Sequence, residues 1–224
     1  MLSVIVPSFD SAATLGPVLA AVRDQDAIEC EIIVADGGST DATPDIAAQF
    51  GARLLSTGQG RGHQLAAGAE ASRQDWLLFL HADTVLAPGW DAAAAGFMAE
   101  AGNLFRFAAF RFALDDSAPQ ARWLEAMVAW RCRAFGLPYG DQGLLVSRML
   151  YDAQGGFRAM PLMEDVDLIR RLGRDRLVMV NAKAVTSAAR FRRGGYFRRS
   201  IRNLFCLALY LVGLPPRAIV RLYG

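Results

Sequence analysis

Residues 76–84 read WLLFLHADT, and this stretch indicates both a fold and a site. Its five leading apolar residues predict a buried strand, and Asp83 follows soon after that strand. Asp36 holds a similar position after a second apolar run, EIIVA at residues 31–35. Carboxylates at the carboxyl ends of parallel strands lie in the crevice where open α/β sheets bind ligands. This arrangement suits a divalent metal that holds a diphosphate, and it favours an enzyme.

Strands and helices alternate along the first hundred residues. The predicted strands cover residues 2–7, 31–35, 52–55 and 75–80, and the predicted helices cover 12–23, a segment that begins at 41–44, and 62–72. The second half is less regular, with strands at 105–114, 144–147 and 177–180 and helices at 118–135, 164–172 and 196–212. This alternation predicts an α/β fold, with a mostly parallel sheet flanked by helices.

The composition supports a folded domain with a marked charge asymmetry. Of the 224 residues, 53% are hydrophobic and 21% are charged, which excludes a disordered chain. Residues 170–224 hold 13 Lys and Arg against one acidic residue, whereas residues 1–169 hold 11 basic and 21 acidic residues. The basic end is expected to face anionic lipid, phosphate or the acidic body of the protein.

The cysteines and the first residues predict a cytoplasmic protein. Cys30, Cys132 and Cys206 are far apart and form no CxxC pair, which favours reduced thiols. The opening MLSVIVP lacks the basic and long apolar regions of a signal peptide. No apolar run reaches the roughly 18 residues that a spanning helix needs.

Two glycine-rich segments follow predicted strands. Residues 36–41 read DGGSTD and residues 58–64 read GQGRGHQ. Glycines permit positive φ and close approach of the backbone to a ligand, and helix N-termini bind anions. The structural alternative is a tight turn with Asp41 as a helix cap. A methyltransferase is disfavoured, because residues 7–10 read PSFD where it would need a glycine-rich turn.

Two acidic sites are candidates for chemistry. Asp83 can ligate Mg²⁺ or Mn²⁺, since these ions take oxygen ligands and complete their shells with water and phosphate. His81 would point the same way, although it could also be a packed strand-end histidine. Glu164 and Asp165 open a helix after an apolar MPLM segment that could raise a carboxylate pKa, so the pair is the best candidate for a general base. The alternative is that these two acids have no catalytic role and only interact favourably with the helix dipole.

In combination, these elements resemble an inverting family 2 glycosyltransferase of the GT-A fold. The matching motifs are VIVPSF at 4–9, DGGSTD at 36–41, HAD at 81–83 and ED at 164–165. Residues 80–84 and the GDQG at 140–143 also resemble the subgroup found beside radical-SAM/selenodomain genes. There are two departures: His81 replaces the first Asp of the metal-binding DxD, and Gly37 replaces the second Asp of the usual turn.

The resemblance implies a nucleotide-sugar-dependent hexosyltransferase that uses Mg²⁺ or Mn²⁺, takes a UDP- or GDP-sugar, and inverts the anomeric centre. It implies nucleotide contacts for Pro7, Asp36, Gly60, Arg61 and Gln64, acceptor contacts for Asp141 and Gln142, a metal at Asp83 with His81, and catalysis by Asp165 with Glu164. Arg190 and Arg193 precede the flexible pair Gly194–Gly195 and are further candidates for the diphosphate. The alternative is that these arginines belong to a solvated basic face of the protein and do not bind the donor.

The C-terminal segment predicts a second feature. Residues 1–193 are expected to form the GT-A domain, and residues 194–224 an amphipathic helical appendage. Residues 204–212 are all apolar, a run too short to span a bilayer and too apolar for an ordinary exposed helix. This helix is predicted to lie at the inner face of a membrane that carries a lipid-linked acceptor, or else to pack on the body or on a second subunit of a homodimer.

Two other functions remain open alternatives. A nucleotidyltransferase would also use a nucleotide-binding α/β sheet and Mg²⁺, but it would be expected to carry a glycine-rich basic loop after the first strand. A non-catalytic adaptor could bind a membrane surface through the basic end. Nucleic acid is not expected as a partner, because no known motif interleaves aromatic residues with that charge.

Overall fold

The structure, a computed structural model, describes residues 1–223 apart from the side chains of Arg221 and Tyr223. Gly224, the last residue of the predicted appendage, lies outside the described residues. The strands are β1 (Leu2–Ser8), β2 (Cys30–Asp36), β3 (Arg53–Ser56), β4 (Trp76–Phe79), β5 (Thr84–Leu86), β6 (Phe107–Leu114), β7 (Leu144–Ser147) and β8 (Leu177–Thr186). They form one sheet in the order β3-β2-β1-β4-β7-β6-β8-β5.

Helices connect and flank these strands. They are α1 (Ala12–Arg23), α2 (Thr43–Gln49), α3 (Arg61–Ala71), α4 (Trp90–Ala99), α5 (Pro119–Phe135), α6 (Arg148–Ala153), α7 (Glu164–Leu172), α8 (Ala189–Gly194), α9 (Tyr196–Leu211) and α10 (Pro216–Tyr223). Short 3-10 turns cover Ala101–Phe105, Gly140–Gln142 and Arg174–Arg176. The predicted α/β class is confirmed.

The sheet is mixed, and its parallel part carries the predicted strand ends. β1 pairs in parallel with β2 and β4, and β2 pairs in parallel with β3. β7 is antiparallel to both β4 and β6, whereas β6 and β8 are parallel. The register places Ser8 opposite Asp36 and Ile5 opposite Phe79, so β1, β2 and β4 end along the same edge.

Both faces of the sheet are covered, because β1 alternates its side chains between two cores. Val4 and Val6 face the first core, which also holds Trp90 and is closed by α1 and α4. Ile5 faces the second core, where Phe107 packs and where α3 and α7 cover the sheet. Each fully buried side chain of this size contributes about 1.5–3 kcal/mol, so the two cores fix the strand ends rigidly.

One predicted strand differs from the structure in length. β8 continues to Thr186 instead of ending at residue 180, because its later residues alternate between exposed and buried positions beside β6 and β5. The C-terminal helices pack on the body: Cys206 and Leu207 of α9 and Ile219 of α10 form a small core with Met163 and Val166 around the start of α7. Within residues 1–223, no helix has both the length and the apolarity to cross a membrane.

Candidate active site

A cavity of about 120 Å³ lies beside the carboxyl end of β4. It brings together six of the predicted site residues: Arg61, His81, Asp83, Asp141, Asp165 and Arg190. Apart from His81 and Asp83, which share one turn, these residues come from separate elements that are far apart in sequence. The walls are completed by Tyr139, Leu162, Met163, Val166, Thr186, Ser187, Phe191, Arg199 and Asn203. The cavity thus combines three carboxylates with three arginines.

His81 and Asp83 lie in the turn between β4 and β5. The Thr84 N–H donates to the carbonyl of His81 at 3.1 Å, and the Ser187 N–H donates to the carbonyl of Asp83 at 3.2 Å. Desolvation by burial lowers the pKa of His81 to about 4, and the positive charge of Arg61 adds to this effect. The imidazole is therefore neutral near pH 7, with one ring nitrogen available as an acceptor or metal ligand.

Gly140 allows this imidazole to approach the base candidate. A Cβ at position 140 would meet Nε2 of His81 and would lie 3.4 Å from Oδ2 of Asp165. The Gly140 N–H donates to the same Asp165 Oδ2 at 2.8 Å. The 3-10 turn that begins at Gly140 therefore packs directly against both side chains, and a Cβ at this position would require the His81 side chain to shift.

Asp141 presents an unsatisfied carboxylate to the cavity. Its Oδ1 is buried and has no hydrogen-bond partner among the described residues. Burial raises the pKa of Asp141 to about 6; Arg131 opposes the rise, whereas the charges of Asp165 and Asp83 add to it. Buried polar atoms in folded proteins are normally paired, so a lone carboxylate oxygen here points to a ligand or cation that completes it.

The two acids at the start of α7 face different neighbours. Asp165 lines the cavity, and its Oδ1 accepts from the Val166 N–H at 2.8 Å. Glu164 is fully buried and forms an ion pair with Arg61. Burial raises the pKa of Glu164, although the guanidinium of Arg61 opposes that effect. Asp165 is therefore the better placed of the two to meet a substrate, and Glu164 is placed to orient Arg61.

Backbone strain is located at the same helix start. Met163, the residue before Glu164, has φ 65° although it is not a glycine. Such left-handed positions cost about 1–3 kcal/mol and persist only where the surroundings enforce them. Here Met163 is buried in the small core with α9 and α10 and also lines the cavity.

Asp36 lies at the end of β2, with its carboxylate occupied by its own turn. Its oxygens accept from the N–H groups of Gly38 (3.1 Å) and Ser39 (2.8 Å) and from the hydroxyls of Ser39 (2.5 Å) and Ser8 (3.1 Å). Burial alone would raise the pKa of Asp36, but these hydrogen bonds outweigh it and lower the pKa. A direct nucleotide contact by this carboxylate stays a prediction.

The side chain of Gln64 connects the ends of β1 and β2 by hydrogen bonds. Its Nε2 donates to the carbonyls of Ser8 at 2.6 Å and Ala35 at 2.8 Å, next to Pro7 at the end of β1. A Cβ at Gly37 would lie 3.1 Å from this Nε2, which explains why a glycine suits this position better than the second Asp of the usual turn. Gly60, with φ 125°, precedes α3 and places Arg61 at the cavity.

Gln142 and Arg193 are predicted site residues that do not line the cavity. Gln142 is only 1% exposed, and its amide donates to the Phe110 carbonyl at 3.0 Å. Its Oε1 accepts from the Tyr139 N–H and from Arg131, both at 3.3 Å. All of these contacts are internal, so acceptor binding by Gln142 stays a prediction. Arg193 is an exposed residue of α8, whereas Arg190 of the same helix lines the cavity.

Sequence reasoning missed four side chains at this site. The guanidinium of Arg131 lies 3.4 Å from the ring centre of Tyr139, which forms part of the wall. Arg199 and Asn203 of α9 also line the cavity, and Oδ1 of Asn203 is buried with no hydrogen-bond partner in the part of the chain that the structure describes. Their i,i+4 spacing is the one signal that could have identified them as sharing a helix face.

Comparisons with known proteins identify the family. Residues 3–133, more than half of the chain, match the family model described as Glycosyl transferase family 2. A PGL/p-HBAD biosynthesis glycosyltransferase of Mycobacterium bovis (strain BCG / Pasteur 1173P2) is 39% identical over 93 residues, which cover 38% of this chain and 36% of that protein. This match therefore spans only about a third of the relative's length.

Solved structures agree on the fold. Glucosyl-3-phosphoglycerate synthase from Mycobacterium tuberculosis, in complex with Mn²⁺, UDP and glucosyl-3-phosphoglycerate, has a TM-score of 0.60 at 21% identity over 96% of this chain and 81% of that one. The mannosyltransferase PcManGT from Pyrobaculum calidifontis, in complex with GDP-Man and Mn²⁺, has a TM-score of 0.67 at 19% identity. The match covers 90% of this chain and 59% of that one. The likeness to the radical-SAM/selenodomain-associated subgroup stays a prediction. This chain belongs to the Glycosyl transferase family 2, and its sheet and flanking helices form a GT-A fold.

Proposed function

We propose that this protein transfers a hexose from a nucleotide-diphosphate donor to an acceptor hydroxyl, with inversion at the anomeric carbon and with a divalent metal at the diphosphate. The observation that carries the proposal is the cavity at the sheet edge, where Asp83, Asp141 and Asp165 face Arg61 and Arg190. A family 2 fold with acids and cations converging on one cavity suits proton removal combined with stabilisation of a departing anion.

Asp165 acts as the general base in this proposal. Its carboxylate lines the cavity, and the Gly140 N–H holds it at 2.8 Å. It removes the proton from the acceptor hydroxyl, whose oxygen attacks the anomeric carbon on the face opposite the bond to the nucleoside diphosphate. A new C–O bond forms as the old one breaks, and a single displacement of this kind inverts the centre. Glu164 supports the step indirectly, because it orients Arg61.

The residues present fit a Mg²⁺ or Mn²⁺ ion. Asp83 would hold it, and the neutral imidazole of His81 and the unsatisfied Oδ1 of Asp141 offer further donors at the same cavity. Among residues 1–223, no group of three or more His, Cys, Asp or Glu side chains is arranged as a complete metal site. Phosphate oxygens and water would therefore complete the shell. When bound, the ion would offset the negative charge that develops on the leaving diphosphate.

Arginines of the chain share that electrostatic role. Arg61 is the first residue of α3, and it lines the cavity where the diphosphate is expected. Arg190 approaches the same cavity from α8. The donor is a UDP- or GDP-sugar in this proposal; the solved relatives in complex with UDP and with GDP-Man support both options.

The alternatives are weaker than this proposal. Membership of Glycosyl transferase family 2 disfavours a nucleotidyltransferase and a purely structural adaptor. A lipid-linked acceptor, action at the inner face of a membrane, and a homodimer stay predictions. The division into a domain at 1–193 and an appendage at 194–224 also stays a prediction, but α9 contributes Arg199 and Asn203 to the cavity wall, so the helix belongs to the site.

A binding assay and a product assay test the proposal. Thermal shifts are measured with UDP-, GDP- and dTDP-sugars, each with and without Mn²⁺, and NMR then follows the anomeric configuration of the transferred or released sugar. We expect one donor to stabilise the protein in the presence of Mn²⁺ and the product to be inverted. A retained configuration would exclude the displacement by way of Asp165. Failure of every nucleotide sugar to stabilise the protein would exclude the transferase and favour the adaptor.

A further inference from the structure

Helix α9 has two chemically different faces. Arg199 and Asn203 line the cavity, and Cys206 is buried against α7. The opposite face is apolar and exposed to solvent. Its large side chains, with exposed fractions from 56% to 68%, are Phe197, Ile201, Leu204 and Phe205. Residues at this spacing recur on one side of a helix, so they form one continuous stripe.

A second apolar stripe lies on α5 and meets the first. Trp123, Met127 and Trp130 are each more than 40% exposed, and their i, i+4, i+7 spacing places them along one side of the helix. The rings of Trp123 and Phe197 pack against each other with centroids 5.2 Å apart. The two stripes therefore form a single exposed surface, here called the α5–α9 patch. Patches of this kind mark interaction sites on soluble proteins.

Exposed arginines flank the α5–α9 patch, and the acids of the adjoining segments, Asp116 and Glu125, are paired with Arg192 and Arg122. Arg198 is exposed next to Phe197, and Arg133 is exposed one turn after Trp130. From residue 176 to the end of the sequence there is no Asp or Glu. Tryptophan side chains favour the boundary between lipid and water, and exposed arginines at that boundary are attracted to anionic headgroups.

We propose that the α5–α9 patch docks the protein onto an anionic lipid bilayer. The apolar stripes would enter the headgroup boundary, and Arg133 and Arg198 would contact the headgroups. A second copy of the chain is a poorer occupant. A two-fold interface places the same surface on itself, which would bring the arginines of two copies together, while the acids of the adjoining segments, Asp116 and Glu125, are already paired.

This docking would bring a membrane close to the proposed chemistry. One helix, α9, separates the patch from the cavity, and a helix with its side chains is about 10 Å across. If the proposed transfer is correct, this proximity favours an acceptor hydroxyl that is carried by a membrane lipid. Vesicle binding itself does not require transferase activity, so the two proposals can fail separately.

Co-sedimentation with vesicles tests the docking surface. The full chain is mixed with phosphatidylglycerol vesicles, or with phosphatidylcholine vesicles as the neutral comparison, at low and high salt. The variants are Ile201→Ser with Leu204→Ser, and Arg133→Gln with Arg198→Gln. The control is Phe105→Ser, which removes a 61% exposed apolar side chain outside the patch. Circular dichroism checks that each variant is folded.

The expected results follow from the two kinds of contact. Wild type and Phe105→Ser should pellet with the anionic vesicles and be released at high salt. Each apolar substitution should weaken binding by on the order of tenfold, since the side chain leaves an apolar environment. Each arginine substitution should weaken it by about fivefold at low salt. Wild type that ignores anionic vesicles overturns the proposal, as does equal binding by the Ile201/Leu204 variant. A dimer that this variant dissociates, without vesicle binding, assigns the patch to a second copy.

Discussion

Replacing Gln142 with Ala separates a structural role from a role in acceptor binding. The substitution removes the donor to the Phe110 carbonyl (3.0 Å) and the acceptor for the Tyr139 N–H (3.3 Å). The Arg131 guanidinium and the Cys132 thiol also donate to Gln142, but each keeps a bond to the Leu137 carbonyl, at 2.9 Å and 3.8 Å, so two groups lose their partner. Each costs about 1–3 kcal/mol when it is left buried and unpaired. We expect a loss of about 2–6 kcal/mol, which lowers Tm by about 4–24 °C in a chain of this length.

The assay for this prediction is thermal unfolding followed by circular dichroism, together with kinetics at a temperature where the variant is fully folded. Gln120→Ala, an exposed glutamine at the start of α5, is the matched control and should leave Tm within about 1 °C. Because the Gly140–Gln142 turn also holds Asp165, kcat should fall along with stability. An unchanged Tm with an increased KM for the acceptor would refute the structural reasoning and restore the predicted acceptor contact.

The remaining predictions concern the carboxylates and the close contact at Gly140. Asp165→Asn should lower kcat by about 10²–10⁴ with donor binding nearly intact; a rate near wild type would move the base role to another acid. Asp83→Ala should abolish the Mn²⁺ dependence of nucleoside diphosphate binding in calorimetry; an unchanged dependence would exclude Asp83 as the ligand. Gly140→Ala should displace His81, seen as a shifted imidazole signal in NMR, and lower kcat; an unmoved signal would contradict the contact.

The sequence predicts those parts of the site that depend on local rules. Asp36 and Asp83 were identifiable because each follows an apolar run, and the end of a buried strand fixes where the next side chains lie. Asp165 was identifiable as an acid that opens an amphipathic helix. These rules concern a few neighbouring residues, and the strands and helices that carry the acids agree with the structure within one or two residues.

Other features depend on contacts between distant parts of the chain. The imidazole of His81 lies against Gly140, and the side-chain amide of Gln64 lies against Gly37. No local pattern predicts such a pair, because the partners are brought together only when the sheet and its helices pack. The same reason applies in part to Asp36: the hydrogen bonds from Gly38 and Ser39 are local to its turn, but the one from Ser8 depends on a neighbouring strand.

The ion pair between Arg61 and Glu164 joins the part of the chain that matches the family model to the part that lies beyond it. Arg61 lies within the segment that matches the family model, whereas Glu164 and Asp165 lie beyond it. Because Glu164 is fully buried, its pairing fixes the start of α7 against the start of α3. The adjacent Asp165 is thereby held at the cavity that Arg61 also lines. The ion pair, together with the hydrogen bond from the Gly140 N–H to Asp165, therefore helps to place the proposed base and the proposed diphosphate contact at one cavity.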